Sequence, residues 1–286
     1  MTEQPAPFPG PLAAIWLTAG SWILTAFVLA AFVEPLGPIA ALGLAITIGL
    51  GVTGTLAARR VQPPQAERIG LRGLAPRLLL ALLLLVPLAL LASEVDNIVR
   101  TLMPAAEALK PPEGMPEAQA FATGLSAVEV AIVLVGLAPV VEEFFFRGVV
   151  QQGLVALGGA SRGILGTAIL YALGHGNLIG APAGWVSATL GSLLIGAVLG
   201  YARLVSDSLL APILLSMAIA GAGLLSVQLV ERFPIPGFNA PGDHTPVVWL
   251  LPAAVSVALG LALLVRERRL APPQLIAAQQ LSPPAP

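Results

Sequence analysis

Apolar residues along this chain come in long runs rather than in the spaced faces of soluble helices. The runs lie near 11–33, 38–58, 76–103, 119–141, 163–178, 183–204, 208–231 and 246–265, and several approach 20 residues without a charge. That is the length needed to cross about 30 Å of hydrocarbon. Within lipid, a lone segment satisfies its own backbone hydrogen bonds only as a helix. The pattern predicts an all-α fold, a polytopic transmembrane helical bundle of about eight spans. The fourth run has no clean polar end. Its helix is expected to continue to about Leu157, where Gly158-Gly159 supplies a break.

The arginines then fix an orientation. Arg59, Arg60, Arg68, Arg72 and Arg77 fall between the second and third runs, and Arg162 between the fourth and fifth. Arg203 ends the sixth run, and Arg266, Arg268 and Arg269 follow the eighth. With the N-terminus in the cytoplasm, all of these and the C-terminus fall on the cytoplasmic side, as the positive-inside rule expects. The opposite loops carry Glu34, Glu107, Glu113, Glu117, Glu231 and Asp243 against only Lys110 and Arg232. The chain divides into a disordered tail over 1–10, N-terminal transmembrane helices and loops over 11–118, and a membrane core over 119–231. An outer loop and last helix over 232–270 precede a disordered Pro/Ala/Gln-rich tail over 271–286.

Composition narrows the chemistry. Of 286 residues, 57% are hydrophobic and 10% charged, where soluble domains carry about 25% charged residues. A net charge of −1 offers no basic surface for nucleic acid. With no cysteine, disulfides, thiolate catalysis and Cys-ligated metals are excluded.

The informative residues are the polar ones in apolar surroundings, since a charge at a helix centre in a bilayer costs roughly 2.5–3.5 kcal/mol unless paired or facing a cavity. Glu142-Glu143-Phe144-Phe145-Phe146-Arg147 directly follows the uncharged Ala138-Pro139-Val140-Val141. On a helix Glu143 and Arg147 are i, i+4 neighbours and can neutralise each other. Glu142 points about 100° away and has no partner on its own turn. Pro139 removes a backbone donor just upstream and can open the helix there. A charge cluster closing a span at the interface is the simpler reading of the same residues.

The second polar element is Tyr171-Ala172-Leu173-Gly174-His175-Gly176-Asn177. A lone histidine is commonly a packing residue, but register adds weight to this one. If the helices around Gly158-Gly159 form an antiparallel hairpin, Glu142 lies 16 residues before Gly158 (158 − 142) and His175 lies 16 after Gly159 (175 − 159). Both then sit about 24 Å from the turn, at one depth. Gly174 and Gly176 let a neighbouring helix approach closely. A carboxylate and an imidazole at one level can hold and deprotonate a water, or supply two ligands to a metal. Farther out, Asp96 and Arg100 make an i, i+4 pair, and His244 reads as a surface residue of an outer loop.

Together these residues resemble the CPBP family, the CAAX-protease-like membrane proteins. The first family motif, two glutamates, three spacers and an arginine, is matched by Glu142 through Arg147, followed by Gly148. The second, an aromatic, three spacers and a histidine, is matched by Tyr171 through His175. Gly196-Ala197-Val198-Leu199-Gly200-Tyr201 and Ser208-Leu209-Leu210-Ala211-Pro212-Ile213-Leu214 follow in family order. The resemblance covers about residues 120–225.

It implies a multi-pass protein of a bacterial inner membrane that hydrolyses a peptide bond of a membrane-associated protein or peptide. Glu142 would act as the base, His175 would help hold the water, and Glu143 and Arg147 would brace the site. Family members normally add a histidine and, four residues on, an asparagine, which stabilise the oxyanion or bind an ion. Here those positions hold Ser216 and Ala220. One oxyanion donor is typically worth about 2.7–4 kcal/mol; Ser216 can donate one hydrogen bond and Ala220 none. In the metal form of the mechanism a divalent ion such as zinc would have Glu142 and His175 as ligands, an incomplete set. Three readings stand: an intramembrane endopeptidase, a relative that keeps the bundle to bind a membrane partner without cutting it, and an ion-coupled transporter with Glu142 as proton site.

Overall fold

The computed structural model describes residues 6–103, 127–175 and 182–270. The expectations for the far tails, the 104–118 connection, Gly176 and Asn177 lie outside these residues. The described chain is helical, and no strand occurs in it. We number the helices α1 (Pro11–Leu36), α2 (Pro38–Ala58), α3 (Gln65–Ile69) and α4 (Leu78–Leu102), the last interrupted at Val86-Pro87. They continue as α5 (127–158), α6 (160–175), α7 (Pro182–Ser206), α8 (Leu210–Gln228) and α9 (Val247–Leu270).

Among the described residues, six helices are long and apolar enough to cross a membrane: α1, α2, α4, α7, α8 and α9. They coincide with six of the eight apolar runs. The described parts of the other two runs, 127–141 and 163–175, fall on α5 and α6. Side chains such as Trp16 (69% exposed) and Phe27 (75% exposed) face outward from the bundle, which is the arrangement lipid permits and water penalises.

The arginine-rich segments share one end of the bundle. Arg203 donates from Nη2 to the Arg68 carbonyl at 3.0 Å. Arg72 bridges Glu67 at 3.0 Å and Asp207 at 2.6 Å, and Arg77 pairs with Glu267 at 2.8 Å. Residues 6–10 meet this end too. Pro9 is buried, and the Phe8 carbonyl accepts a hydrogen bond from Gln152 at 2.6 Å. At the other end Asp96 pairs with Arg100 at 2.6 Å and accepts a bond from Ser187. His244 is half-exposed but bonded: its Nδ1 meets Glu94 at 2.7 Å and its Nε2 meets Thr101 at 3.1 Å.

Apolar packing falls into two clusters. Leu82, Leu85, Leu199, Leu215 and Leu264 join α4, α7, α8 and α9. Ala14, Leu50, Phe145, Phe146 and Tyr171 join α1, α2, α5 and α6. Within the second, α5 turns back into α6 at Gly159, whose φ of 77° and ψ of 171° break the helix. A side chain is strained at that φ, so glycine suits the turn. Four residues on, a Cβ on Gly163 would lie 2.6 Å from the Val155 backbone. The hairpin therefore closes tightly and sets the register of everything above it. Gly163→Ala should cost about 1–3 kcal/mol of unfolding free energy in mixed micelles. Gly184→Ala, where a Cβ meets nothing within 4 Å, should stay within about 0.5 kcal/mol of the parent.

Candidate active site

The site begins with a distortion of α5. Turns over Ala131–Leu137 and Phe144–Val150 are wound as π-helix, on either side of the α-helical Ala138–Glu143. Pro139 lies inside the continuous helix, just after the first wide turn, where its missing N–H removes one backbone rung. Such wide turns inside α-helices recur at functional sites because they redirect side chains relative to a regular helix.

Glu143 and Arg147 are both fully buried, and Arg147 Nη1 donates to Glu143 Oε1 at 2.9 Å. Arg147 Nη2 donates to the Gly196 carbonyl of α7 at 3.1 Å, and its guanidinium carbon lies 4.4 Å from the centre of the Tyr171 ring. One turn on, Gln151 donates to the Gly200 carbonyl at 2.9 Å. These two rungs tie α5 to α7. Glycine suits both positions: a Cβ on residue 196 would press Tyr171 at 3.1 Å, and one on residue 200 would press Gln151 Oε1 at 2.9 Å.

Glu142 faces α6. Its Oε2 is 3.3 Å from His175 Nε2, with the side chains 12% and 26% exposed. The hairpin thus brings the two residues together at one depth, as their equal spacing from the glycines requires. His175 Nδ1 donates to the Tyr171 carbonyl at 2.9 Å. A carbonyl only accepts, so the proton resides on Nδ1 and Nε2 is the atom presented to Glu142. The imidazole also rests against the Tyr171 ring, 4.1 Å between centres, and against Trp22 of α1, edge-on at 5.4 Å.

Ser216 and Ala220 are partly buried on α8, and no described hydrogen bond joins either to Glu142 or His175. α8 packs on α5 with Gly221 against Val135. The two helices run antiparallel, so Ser216 and Ala220 lie level with residues near 140 and 136. A groove of about 480 Å³ runs along the outer side of the same α5 turns, between Val140, Val141 and Phe144 and the Thr47–Arg59 face of α2.

Among the described residues no three His, Cys, Asp or Glu side chains converge as metal ligands. A catalytic zinc takes three from the protein, so the Glu142–His175 donor set does not fit one.

Sequence reasoning missed Trp22, Gln151 and the roles of the Gly196 and Gly200 carbonyls. Backbone acceptors leave no trace in residue patterns. Trp22 had a faint signal: Ala14, Thr18, Ser21 and Thr25 are the buried stripe of α1, and Trp22 borders it.

Residues 124–221 match a family model described as type II CAAX prenyl endopeptidase Rce1-like. No curated protein and no solved structure matches the chain. The match spans Glu142, Glu143, Arg147, Tyr171 and His175, and leaves out Trp22.

Removing Arg147 strands a buried carboxylate. Arg147→Met should cost about 3–5 kcal/mol of unfolding free energy in micelles. Glu143→Gln in the same chain should recover part of that loss by removing the unpaired charge.

Proposed function

We propose, from the Rce1-like domain carried by residues 124–221, that the protein is an intramembrane endopeptidase hydrolysing a peptide bond of a membrane-associated protein or peptide. The observation that carries this reading is the contact between Glu142 and His175 beside the apolar cluster of α1, α2, α5 and α6. A water bonded to both Glu142 and Nε2, beside their 3.3 Å contact, gives its proton to the Glu142 carboxylate, and the resulting hydroxide adds to the scissile carbonyl. The tetrahedral intermediate collapses as Glu142 returns the proton to the departing amine. His175, fixed by its Nδ1–H bond to Tyr171, orients the water, and the Glu143–Arg147 pair braces the turn that carries Glu142. Low local polarity strengthens each of these interactions. The arginine-rich end faces the cytoplasm, and the membrane is a bacterial inner membrane.

The altered third motif supports a second reading, a relative that binds a membrane partner without cutting it. Ala220 supplies no donor to an oxyanion, and Ser216 has no described bond to the pair. Proteolysis of a transmembrane peptide library in nanodiscs separates the two. Glu142→Gln and His175→Ala should each lower kcat by roughly 10²–10⁴-fold if the pair activates water. Cleavage that persists in folded Glu142→Gln contradicts the mechanism. A folded parent that never cleaves above that variant, yet still binds the peptide, supports the partner-binding reading.

A further inference from the structure

Helix α1 lies outside the 124–221 segment, yet it delivers one side chain to the centre of the site. The Trp22 indole nitrogen stands 1.9 Å from where a Cβ on residue 174 would be. Only a glycine at 174 lets the ring in. There the ring meets His175 edge-to-face, 5.4 Å between centres and at 81°. The indole N–H is buried and has no hydrogen-bond partner among the described residues. A buried donor without a partner is costly, so this placement is not explained by the indole's own hydrogen bonding. What the ring does contribute is a wall.

Among the described residues, and Glu142 apart, the other groups that hold the imidazole belong to its own helix. Its Nδ1–H bond and its stacked Tyr171 neighbour both come from the preceding turn of α6. Both tie the ring to its own helix and neither braces it from a neighbouring one. Trp22 approaches from another helix, and aromatic pairs of this geometry are worth about 0.5–1.5 kcal/mol.

We infer that Trp22 is a positioning residue that clamps His175 against Glu142, with Gly174 as the opening that admits it. The site is then completed by α1. The kinetic part of this inference rests on the endopeptidase reading; the clamp itself does not.

His175 and His244 are the only histidines in the chain. Protein carrying ¹³C,¹⁵N-histidine in micelles therefore gives two sets of ring signals, assigned with His175→Ala. The His175 set should be narrow in the parent and in Trp22→Phe, which keeps a ring. It should broaden or split in Trp22→Ala and in Gly174→Ala, with His244 unchanged throughout. On a cleaved peptide, Trp22→Ala should lower kcat by roughly 10- to 100-fold with KM little altered, and Trp22→Phe should recover most of it. Gly174→Ala should show the same defect, and adding Trp22→Ala to it should cost little more. His175 signals as narrow in folded Trp22→Ala as in the parent overturn the inference, whatever the turnover. Broadened signals with no turnover in the parent uphold the clamp and count against the hydrolase reading instead.

Discussion

Everything near the site depends on how Arg147 is neutralised. A guanidinium cannot give up its proton in a protein, and a buried charge is tolerable only when paired and hydrogen-bonded. Arg147 meets that constraint with Glu143 on its own helix and with the Gly196 carbonyl on α7. The same group thereby links the two apolar clusters, since Gly196 belongs to the helix that packs with α4 and α8 while Arg147 lies among Phe146 and Tyr171. The pairing also consumes one of two adjacent carboxylates. Glu142 is left pointing away, toward α6 and His175, without a cation of its own.

The pair is not ideally satisfied. Glu143 Oε2 and Arg147 Nε are buried without described partners. Buried ion pairs of this kind contribute little net stability compared with apolar packing of the same volume. Their value is geometric: breaking one is costly, so the turn that carries Glu142 is held in a single arrangement. That suits a group whose distance to a reacting atom matters.

Much of this was legible in the sequence. The i, i+4 spacing of Glu143 and Arg147 gave their pairing, and the equal separation of Glu142 and His175 from Gly158-Gly159 gave their meeting. Six of the eight apolar runs reappear as long apolar helices. Spacing works here because a hairpin of rigid helices converts residue count into depth. It fails wherever the partner is a backbone carbonyl, as for Arg147 and Gln151, or a helix distant in sequence, as for Trp22. Nor does it reach Phe8, whose carbonyl accepts from Gln152 of α5, 144 residues on. His244 looked like a plain surface residue because its partner Glu94 is 150 residues away.

The central claim is that Glu142 and His175 form one site within the bundle, and dipolar recoupling between labelled histidine nitrogen and glutamate carboxyl carbon measures it directly in lipid. The account predicts that His175 Nε2 is dephased by a carboxylate carbon and that the effect disappears in Glu142→Gln, while dephasing of His244 by Glu94 persists as an internal reference. A His175 signal that shows no dephasing beside a dephased His244 would contradict it.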